Sequence, residues 1–148
     1  MKLDQAVVDI SRLGIDTAPL IYFVERHAGY VDIMRKILSL VDSGQFTGYS
    51  SVITLTEVLV LPKRAKNIDL ENKYRNLLLH SRNYQITSID STVAELAASL
   101  RAEHNLRTPD ALQVASAIQS GCQAFLTNDK SIKRLQDIQI LILDELEQ

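Results

Sequence analysis

Short apolar runs alternate with helix-periodic segments along the whole chain, and this alternation restricts it to an α/β fold built on a parallel sheet. Ile10 to Ile15, Phe46 to Ser50, Tyr84 to Ile89, Ala124 to Thr127 and Ile138 to Leu143 read as strands. Helical spacing is expected over Ala18 to Glu25, Val31 to Leu40, Thr54 to Val60 or beyond, Asp69 to Arg82, Asp90 to Asn105 and Thr108 to Ser120. The punctuation agrees: Pro19 and Pro109 suit first helical turns, while Asp42-Ser43-Gly44 and Gly121 suit helix ends. Asn128-Asp129 is expected to cap a short helix before the last strand, and Pro62 with Lys63-Arg64-Ala65-Lys66 a basic connection reaching to Asp69.

A length of 148 residues suits one domain spanning 1–148, since halves of that size would hold poor cores. With 46% hydrophobic residues, 5 Gly and 3 Pro, the chain is neither disordered nor a turn-rich β-sandwich. No apolar run approaches roughly 18 residues, so no membrane span is expected. The N-terminus has no apolar core of the signal-peptide kind, and the single Cys122 reads as a buried small hydrophobe; a reduced, cytoplasmic protein is expected. The formal net charge of -2 argues against coating nucleic acid by bulk charge, but not against a local basic patch beside an acidic site.

In an open parallel sheet, ligands bind beyond the carboxyl ends of the strands. Four carboxylates fall at such junctions: Asp16 after the first strand, Glu57 after the second, Asp110 at a helix start, and Asp129 after Ala124 to Thr127. Each has a local explanation. Thr54-x-x-Glu57 is a capping-box pattern, Asp110 complements a helix dipole, and Asp16 and Asp129 are good caps. Capping does not require all four on one edge, and together they suit a hard divalent cation. Thr17, Thr127 and Asn128 flank these acids and could bond metal waters or phosphate oxygens, or serve the turns. Lys63, Arg64, Lys66 and Arg107 could follow a nucleic-acid backbone or form a solvated face. His27, His80 and His104 are scattered without zinc-ligand spacing, and no Gly-rich phosphate loop occurs.

Ile15-Asp16-Thr17-Ala18-Pro19-Leu20-Ile21-Tyr22, Thr54-Leu55-Thr56-Glu57-Val58-Leu59, Arg107-Thr108-Pro109-Asp110-Ala111-Leu112-Gln113-Val114-Ala115 and Leu126-Thr127-Asn128-Asp129 together resemble the PIN-domain family, above all the VapC-type ribonuclease toxins. The likeness runs from about Ile10 to Leu143, with the four acidic motifs in family order. It implies an α/β/α sandwich whose Asp16, Glu57, Asp110 and Asp129 bind Mg²⁺ or Mn²⁺ and cleave RNA, leaving a 5′-phosphate and a free 3′-hydroxyl. Asp16 and Asp110 are then the principal ligands, Glu57 a direct or water-mediated one, and Asp129 the holder of a second ion or a metal-bound water. The likeness also implies a homodimer and a small antitoxin partner, with Leu20, Ile21 and Phe23, and Leu77, Leu78 and Leu79, as candidate surfaces. Departures are the roughly ten residues before the first strand and the basic Pro62-to-Asp69 connection.

Two other readings remain. A phosphotransferase of the haloacid-dehalogenase kind needs a second aspartate two residues after the first, where this chain has Ala18. A catalytically silent PIN module would bind RNA or a protein partner without cleaving, and the presence of all four acids speaks against it.

Overall fold

A computed structural model describes all residues, Met1–Gln148. Its five strands are β1 (Arg12–Ile15), β2 (Thr47–Ser51), β3 (Tyr84–Thr87), β4 (Ala124–Thr127) and β5 (Gln139–Ile142). They pair in the order β3-β2-β1-β4-β5, and every pair is parallel. Seven helices complete the fold: α1 (Leu3–Ala6), α2 (Thr17–Val24), α3 (Val31–Asp42), α4 (Val52–Arg64), α5 (Ile68–His80), α6 (Ser91–His104) and α7 (Thr108–Gln119). The expected α/β/α sandwich is what forms.

The strand alternation builds two cores. Leu13 and Ile15 of β1, with Ala124 and Leu126 of β4, pack with Leu3 of α1, Leu20 of α2, Met34 and Ile37 of α3, Val58 of α4, and Tyr74 and Leu78 of α5. On the opposite face Phe125 joins Val93, Ala97 and Leu100 of α6, and Ala111, Val114, Ala115 and Ala117 of α7. Gly14 of β1 is what lets α7 lie so close: a Cβ there would stand 2.8 Å from the Cβ of Ala117 and 3.0 Å from Cδ1 of Phe125. Burial of this kind contributes roughly 25 cal/mol per Å² of apolar surface, which makes these two layers the main source of stability. Cys122 is buried as expected, and burial pushes its thiol up to about 12.

Several boundaries depart from expectation. Residue Ser51 ends β2 and caps α4 in the same step, accepting from the Ile53 amide at 3.2 Å, so the helix starts at Val52 and not near Thr54. The Thr54-x-x-Glu57 capping box therefore does not exist: Thr54 is a fully buried helical residue whose hydroxyl faces neighbouring side chains. Pro62 lies inside α4. It leaves the Val58 carbonyl without its intrahelical amide, yet with the ring buried α4 continues through Lys63 and Arg64. The basic connection thus shrinks to Ala65–Asn67, with Asn67 capping α5 through the Leu70 amide at 3.1 Å. β1 begins at Arg12 and β3 ends at Thr87, both shorter than expected. The short helix after Asn128 is one 3-10 turn, Lys130–Ile132, capped by Asp129 alone. α1 was not expected; it packs Leu3 and Ala6 into the first core.

Candidate metal centre at the carboxyl edge of the sheet

β1 and β4 are adjacent, and the chain leaves their carboxyl ends through Asp16 and Asp129. Residue Asp16 caps α2 with one oxygen, Oδ1, accepting from the Thr17 amide at 2.8 Å. Its other oxygen, Oδ2, accepts from the Thr127 hydroxyl at 2.8 Å. That hydroxyl in turn accepts from the Asp129 amide at 3.0 Å, so one threonine joins the two aspartate-bearing turns. Burial raises the Asp16 pKa above the usual carboxylate range, and the nearby negative charges of Asp110 and Glu57 push it the same way. The two hydrogen bonds only partly offset this.

Glu57, near the exposed side of α4, accepts from the Thr17 hydroxyl at 2.7 Å. Behind it lies Gln113 of α7, a buried side chain that sequence reading did not single out. Its Nε2 donates to Thr54 at 2.7 Å and Thr17 at 3.1 Å, and approaches Glu57 Oε1 at 3.4 Å. Its carbonyl accepts from Ser51 at 2.6 Å. α2, α4 and α7 are therefore locked together by one amide directly beneath the acids. Only the three-dimensional contact reveals this, because a glutamine on an apolar helix face carries no signal in the sequence.

Asp110, in the first turn of α7, is held by Arg107: Nε to Oδ2 is 2.9 Å and Nη2 to Oδ1 is 3.3 Å. The guanidinium also feels Asp129 and Glu57, which raise its pKa together with Asp110. Asp129 accepts through Oδ1 from the Ser131 amide at 2.9 Å and hydroxyl at 2.7 Å. Asp16, Glu57, Asp110 and Asp129 thus gather around Asp16 and Arg107 closely enough for their charges to be felt, each with local partners, but no three of them bring ligand atoms within 4.8 Å of one another. Their donor set is oxygen throughout, which fits a hard divalent cation such as Mg²⁺ or Mn²⁺ and fits softer metals poorly.

Other expected contributors lie differently. Asn128 faces the C-terminal segment, where its Oδ1 accepts from the Asp144 amide at 3.0 Å. Lys63 pairs with the buried Glu71 at 3.1 Å, alongside Arg75 at 2.8 Å, and these two cations hold the Glu71 pKa below its ordinary value. Lys63 is thus engaged in the α4–α5 contact. Arg64 and Lys66 are exposed. His104, scattered in sequence, meets Asp137 at 3.1 Å and Glu103 at 3.6 Å; these three are the one set of candidate ligand atoms within 4.8 Å of one another. Leu20 and Leu78 are core residues, not surface. Phe23 and Leu77 line a cleft of about 390 Å³ with Val24 and Val31, rimmed by Arg26, Arg35, Lys73 and Asn76. No helix is long and apolar enough to cross a membrane.

Comparison with known proteins agrees with this architecture. No curated protein matches the chain. Among solved structures, the fold is similar to VapBC2 from Rickettsia felis bound to a promoter DNA fragment, with TM-score 0.73 and 19% identity over 88% of this chain and 98% of that one. It is also similar to a toxin–antitoxin complex from Klebsiella pneumoniae, with TM-score 0.69 and 22% identity over 88% and 97%. VapC20 from Mycobacterium tuberculosis, a Sarcin-Ricin loop cleaving toxin, gives TM-score 0.63 and 15% identity over 86% and 98%. The PIN domain family model matches residues 14–138, which takes in all four acids, the second half of β1 and all of β2, β3 and β4, and stops just before β5. The chain belongs to the PIN-domain family.

Proposed function

We propose that this protein is a divalent-metal-dependent endoribonuclease and the toxin of a toxin–antitoxin pair. The observation that carries the reading is the placing of Asp16 in charge contact with Glu57 and Asp110, with Asp129 beside the same Arg107, and the Asp16 pKa raised by burial and by its acidic neighbours. Clustered like charges cost stability unless something compensates them, and a divalent cation is the compensation that also performs chemistry. Asp16 and Asp110 would hold Mg²⁺ or Mn²⁺, with Glu57 as a direct or water-mediated ligand and Asp129 on the outer side. When bound, the ion lowers the pKa of its water and neutralises charge developing on the phosphate.

The chain's own groups prepare that site. Thr127 and the Thr17 amide fix the Asp16 carboxylate by bonding both its oxygens. Gln113 and Thr17 fix Glu57 at the edge of the cluster. Preorganised ligands spare the site a reorganisation cost during the reaction. Of the expected basic side chains, Arg64 and Lys66 are exposed and outside the ion pairs, and the exposed Arg107 pairs with Asp110 at the site; these three would meet the phosphate backbone. For an antitoxin, the cleft containing Phe23 and Leu77 offers apolar depth under a cationic rim, which suits a segment carrying apolar and acidic residues. A homodimer accords with the exposed Leu61 and Ile68 at the α4–α5 corner.

Asp110→Asn tests the metal role against simple capping. As a dipole partner Asp110 is worth about 0.3–1 kcal/mol of stability, and activity would survive its loss. As a ligand its replacement lowers RNA cleavage by orders of magnitude in a protein that still folds. Near-wild-type cleavage by folded Asp110→Asn overturns the metal site. Absence of cleavage in the wild type with Mn²⁺ across total cellular RNA favours the silent binding module instead.

A further inference from the structure

The proposed site contains one cation of its own. Of the four acids only Asp110 forms an ion pair, and its partner is Arg107, three residues earlier at the cap position of α7. The contact is a fork: two guanidinium nitrogens meet the two carboxylate oxygens at 2.9 and 3.3 Å. Each carboxylate oxygen thus accepts from the guanidinium. The Arg107 side chain is 79% exposed and Asp110 only 23%, so the arginine covers the carboxylate from the solvent side. Arg107 makes no other side-chain hydrogen bond, so a swing of the side chain alone, with no backbone motion, would free Asp110.

Resting on the metal-site reading above, we propose that Arg107 is a resident competitor of the divalent ion: it neutralises Asp110 when no metal is bound and must leave that carboxylate for metal to bind. The acids facing it are Asp110, Asp129 and Glu57, so its charge relieves the same repulsion that the ion relieves. The two cations compete for Asp110, since the fork takes a lone pair on each carboxylate oxygen and neutralises the charge that would draw the ion. An exposed pair is weak enough to be displaced, so the competition tunes metal affinity without abolishing it. The released guanidinium is left at the mouth of the site, where a substrate phosphate would arrive.

The test is metal binding without turnover: titration of Mn²⁺ into the intact protein, followed by the paramagnetic resonance signal of the free ion. Arg107→Gln is expected to bind Mn²⁺ roughly two- to five-fold more tightly than the wild type, the factor an exposed ion pair supports. Its metal-free melting temperature should fall, and its gain on adding Mn²⁺ should exceed that of the wild type. Unchanged or weaker Mn²⁺ binding by folded Arg107→Gln overturns the proposal, weaker binding because it makes Arg107 a support for Asp110. Asp16→Asn separates this failure from failure of the site itself. If the wild type binds no Mn²⁺, or Asp16→Asn binds it equally well, the metal-site reading falls and the competitor with it.

Discussion

Gln113 Nε2 donates to the hydroxyl of Thr54 at 2.7 Å, joining α7 to α4 in the interior directly beneath the acidic edge. Both side chains are buried, Thr54 completely, so neither can exchange this bond for water. The pair ties the positions of Glu57 and Asp110, which lie on the same two helices, to a single contact in the core.

Gln113→Leu should therefore damage the fold and the site together. Ser51 and Thr54 would each lose one of two partners of a buried hydroxyl, keeping the Ile53 amide and Thr17, at a cost of about 0.5–1.5 kcal/mol per lost bond. Urea denaturation should show that loss of stability. RNA cleavage should also drop at saturating metal, because Glu57 and Thr17 lose the amide that spaces them. Full activity in Gln113→Leu would make the amide purely structural.

The sheet edge was legible in sequence because its acids belong to short junction motifs: Asp16-Thr17 follows β1, and Thr127-Asn128-Asp129 follows β4. The amide beneath it was not, since Gln113 stands 59 residues from Thr54 and 62 from Ser51. The start of α4 was misread for a related reason. Ser51 serves as the last strand residue and the helix cap at once, leaving no loop to mark the boundary. Thr54 and Glu57 then matched a capping pattern by spacing alone. Pro62 misled in the same region, because a proline near a helix end can be accommodated by burial of its ring. The ion pair of Lys63 was not legible either, because its partner, the buried Glu71, belongs to the next helix.

Gly14 sets the distance between sheet and α7. Adding a single methyl as Gly14→Ala puts it 2.8 Å from the Ala117 methyl, in a layer with no flexible side-chain end to yield. Overpacking of this kind costs typically about 1–3 kcal/mol. The double change Gly14→Ala with Ala117→Gly removes the clashing methyl. Thermal melts should show the single variant destabilised and part of the loss recovered in the double variant.

Glu71 gives a pH dependence with a defined sign. Lys63 and Arg75 lower its folded pKa below the ordinary 4.5, so the folded state binds that proton less readily than the unfolded chain. The stability it contributes is complete above about pH 4.5 and is lost as pH falls through the lower folded value. Glu71→Gln should thus be less stable than the wild type at neutral pH, and the gap should close on acidification. Melting curves from pH 7 to pH 3 follow it. A gap that stays constant down to pH 3 would deny Glu71 its two cations.

The position of Lys63 also divides the basic segment. Paired with Glu71 on the α4–α5 contact, Lys63 should matter to stability, whereas the exposed Arg64 and Lys66 should matter to RNA. Each phosphate contact on a single strand contributes roughly 0.7 to the slope of log affinity against log salt. Neutralising Arg64 and Lys66 together should lower that slope by about 1.4 if both follow the backbone. Lys63→Ala should leave the slope near its wild-type value while lowering the melting temperature. Metal affinity should be unchanged in both proteins, because none of these side chains bonds to Asp16, Glu57, Asp110 or Asp129 in the structure. Fluorescence anisotropy of a labelled single-stranded RNA, measured at several salt concentrations without divalent metal to prevent cleavage, gives the slopes. A Lys63→Ala slope that falls as far as that of the double variant would return Lys63 to the RNA surface. It would also mean that the Glu71 pair opens when RNA binds.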